Sequence, residues 1–196
     1  MKTPGRPGAD ASPSQLHNNC SGKHAGFLTL NRHLGGGAEY VDPGHPVQQA
    51  VKAAFEEVTA EVSPGYGIDG CSAPNWSCSL AGLGRAMAAF ADPAEDARGR
   101  AMRRLADAMR RYPEMVAGEG RACTILMRAT GGRVAAKTGA EAVFVAILPG
   151  QGLGVALKVT DGATRAAEAA IAALLVHLGA LSPDDPAVGR FLTDPI

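Results

Sequence analysis

The apolar residues Val47, Val51, Ala54, Phe55, Val58 and Val62 recur at helical spacing, with Lys52, Glu56, Glu57 and Glu61 mostly on the other face. That pattern predicts an amphipathic helix, and Ser63-Pro64-Gly65 stops it. Residues 65–74 read as a glycine-rich loop holding Asp69 and Cys71, a kind of segment that often carries function. Two further helices are expected over residues 80–90 and 95–111, separated by Pro93, which cannot continue a helix. The second sets Met102, Leu105 and Met109 on one side against a row of arginines that reads as a solvated face. After Gly131-Gly132 the period shortens to that of strands: residues 133–137, 142–148 and 153–159, the last two joined as a hairpin through Pro149-Gly150-Gln151-Gly152. Asp161 is placed as the N-cap of a long apolar helix over residues 163–178 that ends at Gly179. Antiparallel strands and a helix laid across one face hide each other's apolar surface, so the expected fold class is α+β. Met1 to Ser14 has no periodic apolar positions and contributes no core. The expected organisation is a disordered lead-in over residues 1–15 and one domain over residues 16–196.

Composition narrows the function classes. At 196 residues and 46% hydrophobic, the chain suffices for a real core. Nineteen basic and nineteen acidic side chains cancel, which leaves no global field to draw nucleic acid or an anionic membrane. The apolar stretch over residues 166–178 is broken by Glu168 and His177, short of the roughly 18 uncharged residues a membrane span needs. Four cysteines are too few and too scattered for a disulfide framework, and no apolar leader follows Met1, so a cytoplasmic location is expected.

Two clusters could carry chemistry. Asn18-Asn19-Cys20-Ser21-Gly22-Lys23-His24 packs two amides, a thiol, a hydroxyl, an amine and an imidazole into seven residues. A helical turn there would put Cys20 and Lys23 on one face, and Cys71 could join them from the 65–74 loop. Two thiolates, a nitrogen and a water would complete a tetrahedral zinc site, although lysine must first lose its proton. The alternative is two buried or mildly reactive thiols beside a helical turn. His24 is a candidate general base or a hydrogen-bonded structural residue; His17, His33, His45 and His177 read as structural. Asp69 either orients an ammonium or caps its loop. The second cluster is Lys137-Thr138-Gly139 at a strand end, where acyl-transfer sites of the penicillin-recognising type place a positive charge, a hydroxyl and an unhindered backbone. It is otherwise a strand end with a solvated lysine. Cys78 and Cys123 lie among apolar residues and read as core.

Four segments in order resemble the L-asparaginase II family typified by rhizobial enzymes: Leu16-His17-Asn18-Asn19-Cys20-Ser21-Gly22-Lys23-His24-Ala25-Gly26, Gly67-Ile68-Asp69-Gly70-Cys71-Ser72-Ala73-Pro74, Tyr112-Pro113-Glu114-Met115-Val116-Ala117-Gly118, and Ala136-Lys137-Thr138-Gly139-Ala140-Glu141 with Asp161-Gly162. The resemblance implies a β-lactamase-like fold, an antiparallel sheet with flanking helices. It implies hydrolysis of L-asparagine to L-aspartate and ammonia by a lysine-activated serine, and zinc held by Cys20, Lys23 and Cys71. Lys137 would be catalytic, and His24, Asp69, Thr138 and Gly139 would bind substrate. The family carries a Ser-x-x-Lys pair and a second catalytic serine ahead of the Cys-Ser-Gly-Lys motif, and this sequence has no Ser-x-x-Lys. The chain is therefore expected to be the C-terminal portion of the domain, N-terminally truncated, with the N-terminal strands and nucleophile helix missing and a sheet edge unpaired. Three readings follow: an asparaginase, a non-catalytic remnant that binds metal or a partner, and a hydrolase of another amide. Expected partners are L-asparagine, a second copy or a complementing N-terminal fragment, and neither nucleic acid nor membrane. The family tends to have glycine where this chain has Ala142, a difference expected to crowd the following strand.

Overall fold

The computed structural model describes Ser12 and residues 14–193, so the lead-in expected before residue 16 falls almost wholly outside the described residues. The chain divides into two compact units, Met1–Ser79 and Leu80–Ile196.

In the first unit a 3-10 turn, Gln15–His17, leads into helix α1 (Ser21–Leu34), and helix α2 (Pro46–Thr59) packs on α1. Only a helical turn is expected near Cys20 from sequence, yet α1 runs fourteen residues. None of its residues is buried, so no apolar stripe announces it. Helix α2 starts where its pattern predicts: Pro46 fits the first turn, and the His45 imidazole accepts from the Val47 N–H at 3.1 Å. Residues 65–74, expected as a loop, instead build a hairpin of β1 (Tyr66–Ile68) and β2 (Pro74–Trp76), with Tyr66 opposite Trp76 and Ile68 opposite Pro74. The Tyr66 and Trp76 rings meet edge to face at 5.0 Å, and the Lys52 ammonium lies 5.4 Å above the indole.

The second unit carries helices α3 (Leu80–Ala91), α4 (Ala97–Arg111), α5 (Pro113–Ala117) and α6 (Ala122–Ala129) before strands β3 (Ala135–Thr138), β4 (Val143–Leu148) and β5 (Leu153–Lys158). Helix α7 (Thr164–His177) and the short α8 (Pro186–Val188) follow. The strands form one antiparallel sheet in the order β3-β4-β5, and the fold class is α+β as expected. Side chains alternate across this sheet, with Ala136, Phe144, Ala146 and Leu148 facing α6 and α7. Ala135 and Ile147, opposite one another, join Ala91 of α3 and Ala106 of α4 on the other face. Helices therefore cover both faces, not the one expected, which is why β4 reads as an unbroken apolar run. Phe144 is wholly buried, and its burial contributes about 2–3 kcal/mol.

Helix α3 approaches β5 on small residues. A Cβ added to Gly154 would lie 2.1 Å from the Ala88 nitrogen and 2.5 Å from the Gly84 oxygen. Two expectations change in this unit. Leu105 is 59% exposed, so α4 buries Met102 and Ala106 instead. Asp161 does not cap α7, whose N-cap is Ala163; its carboxylate accepts from the Ala163 N–H at 2.8 Å, shaping the turn just before.

Candidate functional site

In the first unit α1 and the hairpin turn bring four chemical groups together. Cys20 is the N-cap of α1, held by its own N–H donating to Asn18 Oδ1 at 2.8 Å, and Lys23 lies in the first turn. The turn between β1 and β2 is closed by Asp69 N–H to the Ala73 carbonyl and Ser72 N–H to the Asp69 carbonyl, both at 2.9 Å. This presents Asp69 and Cys71 from a point 46 residues along the chain from Lys23. Lys23 Nζ donates to Asp69 Oδ2 at 2.7 Å, the Cys71 thiol reaches the same oxygen at 3.6 Å, and the Gly70 N–H takes Oδ1 at 2.7 Å. Asp69 thus both orients an ammonium and caps its own turn. One ligand atom each from Cys20, Asp69 and Cys71 lie within 4.8 Å of one another.

A cavity of about 710 Å³ opens in the same unit, lined among others by Ser21, His24, Tyr40, Val41 and Cys71. His24 faces it with Nδ1 2.8 Å from the Tyr40 hydroxyl, while the buried Nε2 has no hydrogen-bond partner among the described residues. Tyr40 is the residue that sequence reasoning missed. Its only signal is a lone aromatic side chain in a segment of glycine, proline and acidic residues.

Lys137, Thr138 and Gly139 belong to the second unit, at the end of β3. Lys137 is exposed and its ammonium curls back to the Thr138 carbonyl at 2.6 Å. The Thr138 N–H donates to Cys123 Sγ at 3.2 Å, and the Gly139 N–H closes the turn onto the Val143 carbonyl at 2.7 Å. Within that turn Glu141 and Ala142 both take left-handed backbone angles, φ 55° and 56°. Glycine adopts this region without steric cost, so Ala142 holds a backbone conformation that glycine would take more easily. Cys123 is core as expected, and Cys78 is half-buried.

A protein-family model, L-asparaginase II, matches residues 7–196. The chain belongs to the L-asparaginase II family. No curated protein matches it. Membership gives this L-asparaginase II chain an asparaginase-type, amidohydrolase function by resemblance, with L-asparagine as the family's substrate. Among its described residues no helix is long and apolar enough to cross a membrane.

The electrostatics of the Cys20 cluster follow from its geometry. The hydrogen bond from Lys23 holds the Asp69 carboxyl below its ordinary pKa against a smaller opposing effect of burial. Burial pulls the Lys23 ammonium down, but the bonds to Asp69 and Cys71 outweigh it and the pKa is raised. Burial, then the contact with Cys71, pushes the Cys20 thiol up. Cys123 is likewise raised, by burial first. The family member thus carries a salt-bridged acid flanked by two thiols, a donor set of sulfur, oxygen and nitrogen of the kind that can hold zinc once deprotonated.

Proposed function

We propose that this chain serves the hydrolysis of the side-chain amide of L-asparagine to L-aspartate and ammonia, with Lys137 as the catalytic amine and His24, Asp69, Thr138 and Gly139 binding substrate. The convergence of Cys20, Lys23, Asp69 and Cys71 on one point carries this reading, because packing alone gives no reason to gather an amine, an acid and two thiols there. Amide hydrolysis needs a nucleophile, charge to stabilise the oxyanion and a proton for the departing ammonia. Lys137 and Thr138 supply an exposed amine and a hydroxyl at one strand end. No Ser-x-x-Lys occurs in the sequence, so this reading assigns the serine nucleophile to chain outside these residues, within a β-lactamase-like domain. The succession of Lys-Thr-Gly strand, hairpin and long helix supports that arrangement.

Cys20, Lys23 and Cys71 would hold zinc, which supplies a fixed positive charge for polarising a carbonyl when bound. The two thiols and the carboxylate within 4.8 Å support the fit. Lys23 would have to surrender the proton it now shares with Asp69, so uptake would release protons and weaken as pH falls.

The missing Ser-x-x-Lys favours a second reading, a non-catalytic protein that binds metal or a partner. Ammonia release from L-asparagine by the purified chain, with Lys137→Ala alongside, separates the two. Ammonia that disappears in the variant supports resident catalysis. A folded, zinc-binding chain that releases none supports the second reading, unless an added N-terminal fragment of the family restores activity.

A further inference from the structure

The His24 imidazole is clamped on the first turn of α1 between two aromatic rings, those of Phe27 and Tyr40, each edge to face at 5.7 Å. Its Nδ1 lies 2.8 Å from the Tyr40 hydroxyl. Tyr40 is itself tied down, because its carbonyl accepts from the side-chain amide of the wholly buried Gln48 at 2.9 Å. The hydroxyl has no other hydrogen-bond partner among the described residues.

Two arrangements are open to the bond between them, and donor strength separates them. Either the imidazole Nδ1–H donates to the phenol oxygen, or the phenol O–H donates to Nδ1. The phenol is the more acidic donor and the imidazole nitrogen the better acceptor, so the second arrangement wins and the ring carries its proton on Nε2. It leaves one buried N–H donor on a residue that lines the 710 Å³ cavity.

We propose that Tyr40 is a positioning residue that holds His24 in the Nε2–H tautomer, so that the imidazole presents a donor for a carboxylate or amide oxygen of the ligand. This rests on the reading of that cavity as a substrate site. The ring cannot turn to find this donor another partner without breaking the Tyr40 bond, so the oxygen of an amino-acid amide or its acid product would complete a hydrogen bond the protein leaves open. His24 in this role is neither base nor nucleophile. It is a fixed dipole, and its tautomer is set by a residue sixteen positions away.

The test is long-range proton–nitrogen NMR of the full chain with ¹⁵N-labelled histidine, on the parent and on Tyr40→Phe, with L-aspartate as the added ligand. The variant keeps the ring and the backbone bond to Gln48, so its fold serves as its own control. The expected result is an Nε2–H tautomer in the parent, a mixture of tautomers in Tyr40→Phe, and about tenfold weaker aspartate binding in the variant, one buried hydrogen bond's worth. An Nδ1–H tautomer in the parent, or an unchanged one in the variant, overturns the positioning role. The expected tautomer with His24 signals that ignore aspartate overturns the ligand assignment, and the substrate reading of the cavity with it.

Discussion

Gly154 and Gly84 face the same helix-on-strand contact, and replacing each with alanine should have opposite effects. At Gly154 the new methyl group would sit 2.1 Å from the Ala88 nitrogen and 2.5 Å from both the Gly84 oxygen and the Met87 carbonyl carbon. These are backbone atoms that cannot rotate away. Comfortable contact begins near 3.5 Å, so α3 would have to retreat by about 1 Å along its whole packed face. Overpacking of this kind costs about 1–3 kcal/mol, and the rigidity of the obstructing atoms puts Gly154→Ala at the upper end. With a chain of this size losing about 2–4 °C of Tm per kcal/mol, the expected fall is about 6–12 °C. At Gly84 the only neighbour of an added Cβ is Ala156 Cβ at 3.9 Å, an ordinary contact. Gly84→Ala should therefore gain the helix preference of alanine, about 1 kcal/mol, and raise Tm by about 2–4 °C. Thermal and urea unfolding followed by circular dichroism measure both. If Gly154→Ala unfolds within about 0.5 kcal/mol of the parent, or if both variants are destabilised alike, the small-residue account of this contact is wrong.

Further outcomes follow from other contacts. Thr124 is wholly buried and its hydroxyl donates to the Gly118 and Pro113 carbonyls at 2.6 and 3.1 Å; Thr124→Val should lose about 2 kcal/mol, read as a lower urea midpoint at unchanged slope. The Lys23–Asp69 pair is about one-third exposed on each side, so Asp69→Asn should cost less than about 1 kcal/mol at pH 7. Because the folded-state pKa of Asp69 is lowered, that contribution is present above the ordinary carboxyl value near 3.9 and is lost as pH falls through the native value. Stability curves of parent and Asp69→Asn should accordingly converge in acid. Cys71→Ser should weaken zinc binding beyond the about 100-fold that losing an outer-shell partner costs, as measured by competition with a chromophoric chelator. Ala142→Gly should change stability by less than about 1 kcal/mol, since relief of a left-handed backbone is offset by the lost buried methyl and by the freedom glycine gains in the unfolded chain.

Elements with a strong period were legible in the sequence. Helices α2, α3, α4 and α7 and the β4–β5 hairpin all lie within a few residues of their expected bounds. Helix α1 shows only as a turn in the sequence because it buries no residue and so has no apolar stripe. The β1–β2 hairpin looks like a loop in the sequence because three-residue strands, one of them fully exposed, leave nothing for a period of two to act on. Spacing sets Leu105 on one side with Met102 and Met109, whereas Ala106 occupies the inward position. At the candidate site, motif spacing pointed to Cys20, Lys23 and Cys71, but the 2.7 Å bond from Lys23 to Asp69 joins residues 46 apart and only the hairpin turn explains it. Tyr40 was invisible for the same reason: its meaning is a hydrogen bond, not a pattern.

The sulfur of Cys123 accepts the Thr138 N–H beneath the Lys-Thr-Gly strand end. Only 1% of this residue is exposed, and burial keeps its thiol protonated, whereas a reagent needs a reachable thiolate. Alkylation at this position must therefore wait for the strand end to lift away from α6. The slow phase of thiol labelling would then report how often the motif opens, and a ligand that clamps Lys137 or Thr138 would lengthen it in proportion to its affinity, giving a binding assay that needs no turnover.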